Sequence, residues 1–291
     1  MPIPARIQNS LAEYQARIHG WAERNPEAVA RIALWAEDEL GATGEGEVAP
    51  IDLLRSFMEA LMPRNWWELG IGAHPRAQHL MESSGLCLVW VPEATVIREL
   101  LAAGDKTARD EALLANSASI LSSVEAVLGE TTHPELASER VLGQEAVLAF
   151  RAGATAAAQA LSASILTAVV QEHFGYRKFS LAREAFSAEP AEGPWRFRRA
   201  TVQRAICATI VRSDEMGPEA GFNRHLSTHG TEPTQFTAAH SLAALMLVAG
   251  SIRELQEIYR VGTFGFGPTP RLELYAGEQF RKRLAASTGA A

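Results

Sequence analysis

Residues 223–250 open on Asn223-Arg224-His225-Leu226-Ser227-Thr228-His229-Gly230 and continue, from Glu232, into a helical period that carries Phe236, Ala239, Ala243, Met246, Leu247 and Gly250. A polar turn that feeds a long apolar helix predicts a bundle, because such a helix needs partners on more than one side. The stretches upstream supply them. Residues 106–128 place Leu113, Leu114, Ile120, Leu121, Val124 and Leu128 on one stripe, and an Ala-rich run from Glu139 to His173 follows the break at Thr132-His133-Pro134. A third helix, from Trp195 to Val211, follows a connection rich in Gly and Pro and turns Val202, Ala205, Ile206 and Ile210 inward. With the last helix, expected over 232–260, the reading is all-α. The small residues of 139–173 permit close approach and place that helix at the centre.

The polar turn is where chemistry is expected. If residues 223–229 are helical, His225 and His229 stand four apart on one face and Arg224 stands five before His229. A guanidinium offers a planar fork of donors to phosphate oxygens, and imidazole exchanges protons near neutral pH. Two other readings stay open: a solvated polar helix face, and a metal site, since histidines at i, i+4 can chelate zinc. The metal reading lacks a Glu directly after the first His and any Cys near the pair, so no metal is expected.

Arg224-x4-His229, extended as Asn223-Arg224-His225-x3-His229-Gly230, resembles the Arg-x4-6-His motif of the HEPN (higher eukaryotes and prokaryotes nucleotide-binding) superfamily. Such sequences often carry a bulky apolar residue before the second His, where this chain has Thr228. The resemblance covers roughly residues 105–261 and implies a four-helix bundle with the motif just before its last helix. It also implies a metal-independent endoribonuclease of the toxin or antiphage-effector type, in which an RNA 2′-hydroxyl attacks the adjacent phosphorus. His229 then moves the proton, Arg224 steadies the charge on the phosphoryl oxygens, and Asn223 and His225 orient the substrate or the other histidine. A homodimer with both motifs on one cleft follows from the same resemblance, as does an antitoxin or defence-system partner. The alternative is a non-catalytic HEPN-like module that binds nucleotide, RNA or protein.

Charge is uneven. The chain carries −7 overall, which argues against general adhesion to nucleic acid. Residues 1–100 are acidic, whereas 171–212 hold Arg177, Lys178, Arg183, Arg196, Arg198, Arg199, Arg204 and Arg212 against four acidic side chains. Arg196, Arg198, Arg199 and Arg204 are the expected RNA-backbone track, with Trp195 and Phe197 as stacking partners. The plainer reading is a solvated helix face.

The remaining chain divides into a mostly helical region, 1–104, and a tail, 262–291, with a Gly/Pro loop and a short amphipathic helix at 271–284. In the first region, helices are expected at 5–18, 26–40 and from Pro50 to Pro63, and again from Pro92 to Leu101. Trp66-Trp67 reads as core or interface, His74 and His79 as polar residues of a surface loop, and Gly85–Val91 as a buried strand or extended run. His240 reads as a satisfied core histidine. Gly262–Pro270 follows a helix rather than a strand, so it reads as a loop and not as a phosphate cradle. No nucleophile elbow, Walker loop or paired-cysteine spacing occurs, and no cofactor is expected. Cys87 and Cys207 are expected as buried thiols. The N-terminus lacks a secretory pattern and Ala152–Val170, uncharged but rich in Ala, Ser and Thr, suits a bundle better than lipid. The expectation is a cytoplasmic protein without a membrane span.

Overall fold

The computed structural model describes residues 63–188, 194–211, 221–229 and 233–263. The helices expected at 5–18, 26–40 and 50–63 and the helix expected at 271–284 lie outside them, as does the loop expected at 262–270 except for Gly262 and Thr263, which belong to the last helix instead. The described residues belong to one compact unit and are mostly helical, with no strand among them. The helices are α1 (Arg64–Leu69), α2 (His74–Ser84), α3 (Ala94–Ala102), α4 (Lys106–Ala115), α5 (Ser117–Gly129), α6 (Ala137–Arg151) and α7 (Thr155–Ala168), followed by α8 (Phe179–Ala188), α9 (Pro194–Thr209), α10 (Arg224–His229) and α11 (Ala238–Thr263).

The last helix, not the Ala-rich one, is the axis of this unit. Leu242 to Gly250 are buried without interruption, which means that α11 is covered all round its circumference. It packs against α4, α5, α6, α7 and α9. α7 instead leaves Ala156, Ala157 and Ser164 exposed. By length and composition the Ala238–Tyr259 segment would also suit a membrane, but 89% of its apolar window is buried inside the protein. Its hydrophobic surface is therefore taken up by its neighbours.

Two expected helices are broken. The first divides at Asn116, where the axis bends by 72°. Asn116 leaves helical geometry (φ −99°, ψ 13°) and its Nδ2 donates to Glu99 Oε2 and Ala112 O, the competition with the backbone that short amides offer inside helices. The second divides at Gly153, whose φ of +82° ends α6 in the left-handed conformation that glycine adopts at low cost. α7 then closes in a π-helical turn, Val169–His173. α8 is an addition to the expected set, although Phe179, Ala182, Ala185 and Phe186 follow a helical period. α11 starts six residues later than expected, after a 3-10 turn at Pro233–Gln235, with Thr237 Oγ1 accepting from His240 N at 3.1 Å in the manner of an N-cap.

Gly85–Val91 is a run outside any helix, buried except for the half-buried Trp90. Trp66 is 1% exposed and sends its indole N–H to Leu88 O at 2.6 Å, while Asn65 Nδ2 reaches Leu88 O and Pro92 O. Trp67, by contrast, is 41% exposed. His74 and His79 lie on α2, not in a loop, and of the two only His79 is exposed. His74 Nε2 donates to Trp66 O at 2.9 Å, its ring lies 4.7 Å from the Trp66 ring, and burial lowers its pKa. Both cysteines are free, and burial pushes the Cys87 thiol up to about 12 and the Cys207 thiol up to about 11.

The run Gly85–Val91 crosses α11 at Gly250. A Cβ there would collide with Cys87 Sγ and come within 3.1 Å of Val89 O. Gly250→Ala is therefore expected to destabilise the protein by about 1–3 kcal/mol through overpacking, more than the roughly 1 kcal/mol that alanine gains in helix propensity. Urea unfolding of the two proteins measures the difference; a Gly250→Ala protein at least as stable as the parent would contradict this close crossing.

Candidate functional site

Residues 223–229 form one short helical turn held from three sides. Asn223 is fully buried. Its Oδ1 accepts from Leu226 N at 2.9 Å, its Nδ2 donates to Val211 O at 3.1 Å, and its backbone N–H reaches Gln235 Oε1 at 3.2 Å. This is an N-cap that satisfies a donor of the first turn. Asn223 thus commits its side chain to the protein, and its place in the motif is to start α10 and aim it.

Beneath the turn runs a buried polar network. Ser227 Oγ donates to Asn223 O at 2.7 Å and accepts from Gln159 Nε2 of α7 at 2.8 Å. The same Gln159 nitrogen reaches Gln235 O, and Gln159 Oε1 accepts from Ser241 Oγ of α11 at 3.3 Å. A buried amide placed this way ties α7, α10 and α11 together, since leaving any one of these groups unpaired would carry a desolvation cost.

The motif side chains leave the turn in two directions. Arg224 is half-buried and turns toward α7 and α8. Its Nε and Nη2 donate to Thr167 Oγ1 at 2.8 and 2.6 Å, and its Cζ stands 4.4 Å from the centre of the Phe179 ring. Thr167 in turn donates to Ala163 O at 2.8 Å. Burial lowers the guanidinium pKa, but from so high a starting point that it stays charged. His225 and His229 are both exposed, with ring centroids 5.0 Å apart and planes 56° apart. Helical geometry explains the division: positions five apart differ by about 140° around the axis, positions four apart by about 40°. The expectation that Arg224 and His229 meet one group directly is thereby modified. The imidazoles pair with each other and the guanidinium stands on an adjacent side of a turn only about 9 Å long.

Thr167, Phe179, Gln159 and Ser227 carry no motif that marks them in the sequence. Gln159 alone leaves a trace there, as the long polar residue in the uncharged stretch 152–170. Thr167→Val removes the acceptor of both guanidinium hydrogen bonds at nearly constant volume, and the expected result is a less ordered Arg224 with a loss of about 1–3 kcal/mol, as for bonds to a charged group. Thermal unfolding, with Thr167→Ser as the rescuing control, measures it.

Two members of the expected basic track of α9 do not face solvent. Arg198 and Arg199 are 4% and 1% exposed. Arg198 Nε and Nη2 bind Glu254 Oε2 and Oε1 at 2.6 and 3.2 Å, and its Cζ lies 4.9 Å from the Trp90 ring. Arg204 pairs with Glu82 at 2.8 Å. The reason is the placement of α9 between α2, α8 and α11, which turns the inner-face arginines into the protein. Trp195, Arg196 and Phe197 lie outside the described side chains. His240 is buried and donates from Nδ1 to Gln235 O at 2.9 Å; burial lowers its pKa. No group of three His, Cys, Asp or Glu side chains that could hold a metal ion occurs among the described residues. Compared with protein-family models, with curated proteins and with solved structures, the chain matches none.

Proposed function

We propose that the chain is an endoribonuclease of the HEPN kind, with α5, α6, α7 and α11 as the core of its bundle and the turn Asn223–His229 as its catalytic element. The observation that carries this reading is the pair of exposed imidazoles 5.0 Å apart, on the same short turn as a guanidinium held in place by Thr167 and Phe179. In the reaction the RNA 2′-oxygen forms a bond to the adjacent phosphorus and the bond from phosphorus to the 5′-oxygen breaks. One imidazole takes the proton of the 2′-hydroxyl. The other, protonated, gives a proton to the departing 5′-oxygen, leaving a 2′,3′-cyclic phosphate and a 5′-hydroxyl. No metal ion enters this scheme. His229 is assigned one proton transfer and His225 the other, and Arg224 offsets the charge that gathers on the phosphoryl oxygens. A second copy of the chain would bring a second turn to the same cleft.

The test is to incubate the purified full chain with mixed RNA in the presence and absence of EDTA and to identify the ends. Cyclic phosphate ends formed equally in both support the reading; cleavage lost to EDTA assigns the histidines to a metal instead. A second reading has its own support. Two of the five N–H donors of Arg224 are bound to Thr167, as suits a guanidinium that holds a nucleotide or RNA without acting on it. RNA that binds to the protein, is released by Arg224→Ala and is never cut would select that reading.

A further inference from the structure

The segment between the π-helical turn and α8 holds two exposed cations next in sequence to the residue that carries the motif arginine. Its backbone is pinned: Gly175 turns at a φ of +76°, Tyr176 N donates to Val170 O at 3.0 Å, Gln171 Nε2 reaches Arg177 O at 3.5 Å, and Lys178 O accepts from Leu181 N and Ala182 N at 3.1 and 3.2 Å. Its aromatic side chains are pinned as well, with the rings of Phe174 and Tyr176 set edge-on to Phe186 at 5.0 and 5.5 Å. What stays outside is Arg177 and Lys178, both exposed, with no ion pair to a carboxylate among the described residues. The next residue is Phe179, whose ring carries the Arg224 guanidinium at 4.4 Å. Lys178 therefore has its Cα only about 3.8 Å from that of the residue on which the motif arginine rests.

We propose that Arg177 and Lys178 bind the phosphates of single-stranded RNA that flank the one held at the His225–His229 turn. Two cations on a fixed backbone, in a chain of net charge −7, form a local site for a polyanion rather than a diffuse attraction. Glu172 and Glu184 are the exposed carboxylates closest to them in sequence. Arg198 and Arg199 of α9 do not fill this role, because they are sealed against the core. The assignment rests on the ribonuclease reading for what happens at the motif, yet the binding it describes is measurable without any cleavage.

The experiment uses the full chain, a fluorescent oligoribonucleotide blocked by 2′-O-methyl groups, and anisotropy over a range of salt concentrations. Each phosphate contact on a single strand contributes about 0.7 to the slope of log K against log salt. The double variant Arg177→Ala/Lys178→Ala is expected to lower the magnitude of that slope by about 1.4 and to weaken binding about tenfold or more at low salt, with an unchanged melting temperature because both side chains are exposed. Arg177→Lys/Lys178→Arg is expected to retain the slope. If the wild-type chain binds the oligonucleotide and the double alanine variant does so with the same slope and affinity, the proposal is overturned while the ribonuclease reading stands. If the wild-type chain neither binds the blocked RNA nor cuts the unblocked one, both fall.

Discussion

On the ribonuclease reading, His229→Ala is expected to lower the rate of RNA cleavage by about 10²–10⁴-fold, the usual contribution of a positioned proton donor or acceptor, and Arg224→Ala by about 10²–10³-fold, as for loss of one donor to a developing oxyanion. These are the losses expected if the turn is the catalytic element. The two variants differ in what else they disturb. His229 is exposed, so its removal should leave stability within about 0.5 kcal/mol, and a slow but fully folded protein isolates the chemistry. Arg224 contributes to folding as well, through Thr167 and Phe179, and its alanine variant must be compared by melting temperature. Arg224→Lys separates the effects further: it keeps a cation over the ring yet loses the fork that binds Thr167. Initial rates on one oligoribonucleotide, with melts of each protein, decide the matter. Undiminished cleavage by His225→Ala and His229→Ala proteins alike would remove the imidazoles from the reaction.

The period of apolar residues made the helices visible, and it did so best where burial is one-sided or complete, as in α3 and α11. It says little about where a helix bends, because Asn116 and Gly153 act through local backbone geometry while the apolar stripe passes over them. The motif turn was legible as a helix, and the i, i+4 relation of His225 and His229 with it. The direction of Arg224 was not, since its partners Thr167 and Phe179 stand 57 and 45 positions earlier and only the fold brings α7 and α8 to α10. The arginines of α9 mislead for a related reason. A charged residue on an inner face that is matched by Glu254 on another helix has the same local pattern as one in solvent, and no window of sequence contains both partners. Arg177 and Lys178 were equally visible in the sequence; what distinguishes them is that the chain around them is tied down while their own side chains pair with no carboxylate among the described residues.

Arg198→Ala destabilises the protein by about 3–5 kcal/mol, the range for breaking a buried ion pair from one side. The side chains of Arg198 and Glu254 are 5% and 2% exposed and meet through two hydrogen bonds, with Trp90 Nε1 donating to the same Glu254 Oε2 at 3.2 Å. Without the guanidinium, the Glu254 carboxylate is left in a place where water cannot compensate its charge. The loss is aggravated at Trp90, a residue held at a φ of +72°, a region costly for a bulky side chain. Both Arg198 and Arg253 stack on its ring, at 4.9 and 4.8 Å, and one of the two stabilising contacts disappears. The double variant Arg198→Met/Glu254→Leu provides the contrast. It removes both charges and keeps most of the volume, so it should cost less than Arg198→Ala alone, as replacement of a buried pair by apolar groups often does. Urea titrations of the three proteins measure the order. A single variant that loses less than about 1 kcal/mol would place Arg198 in contact with water, and would return α9 to the surface role that its row of arginines first suggests.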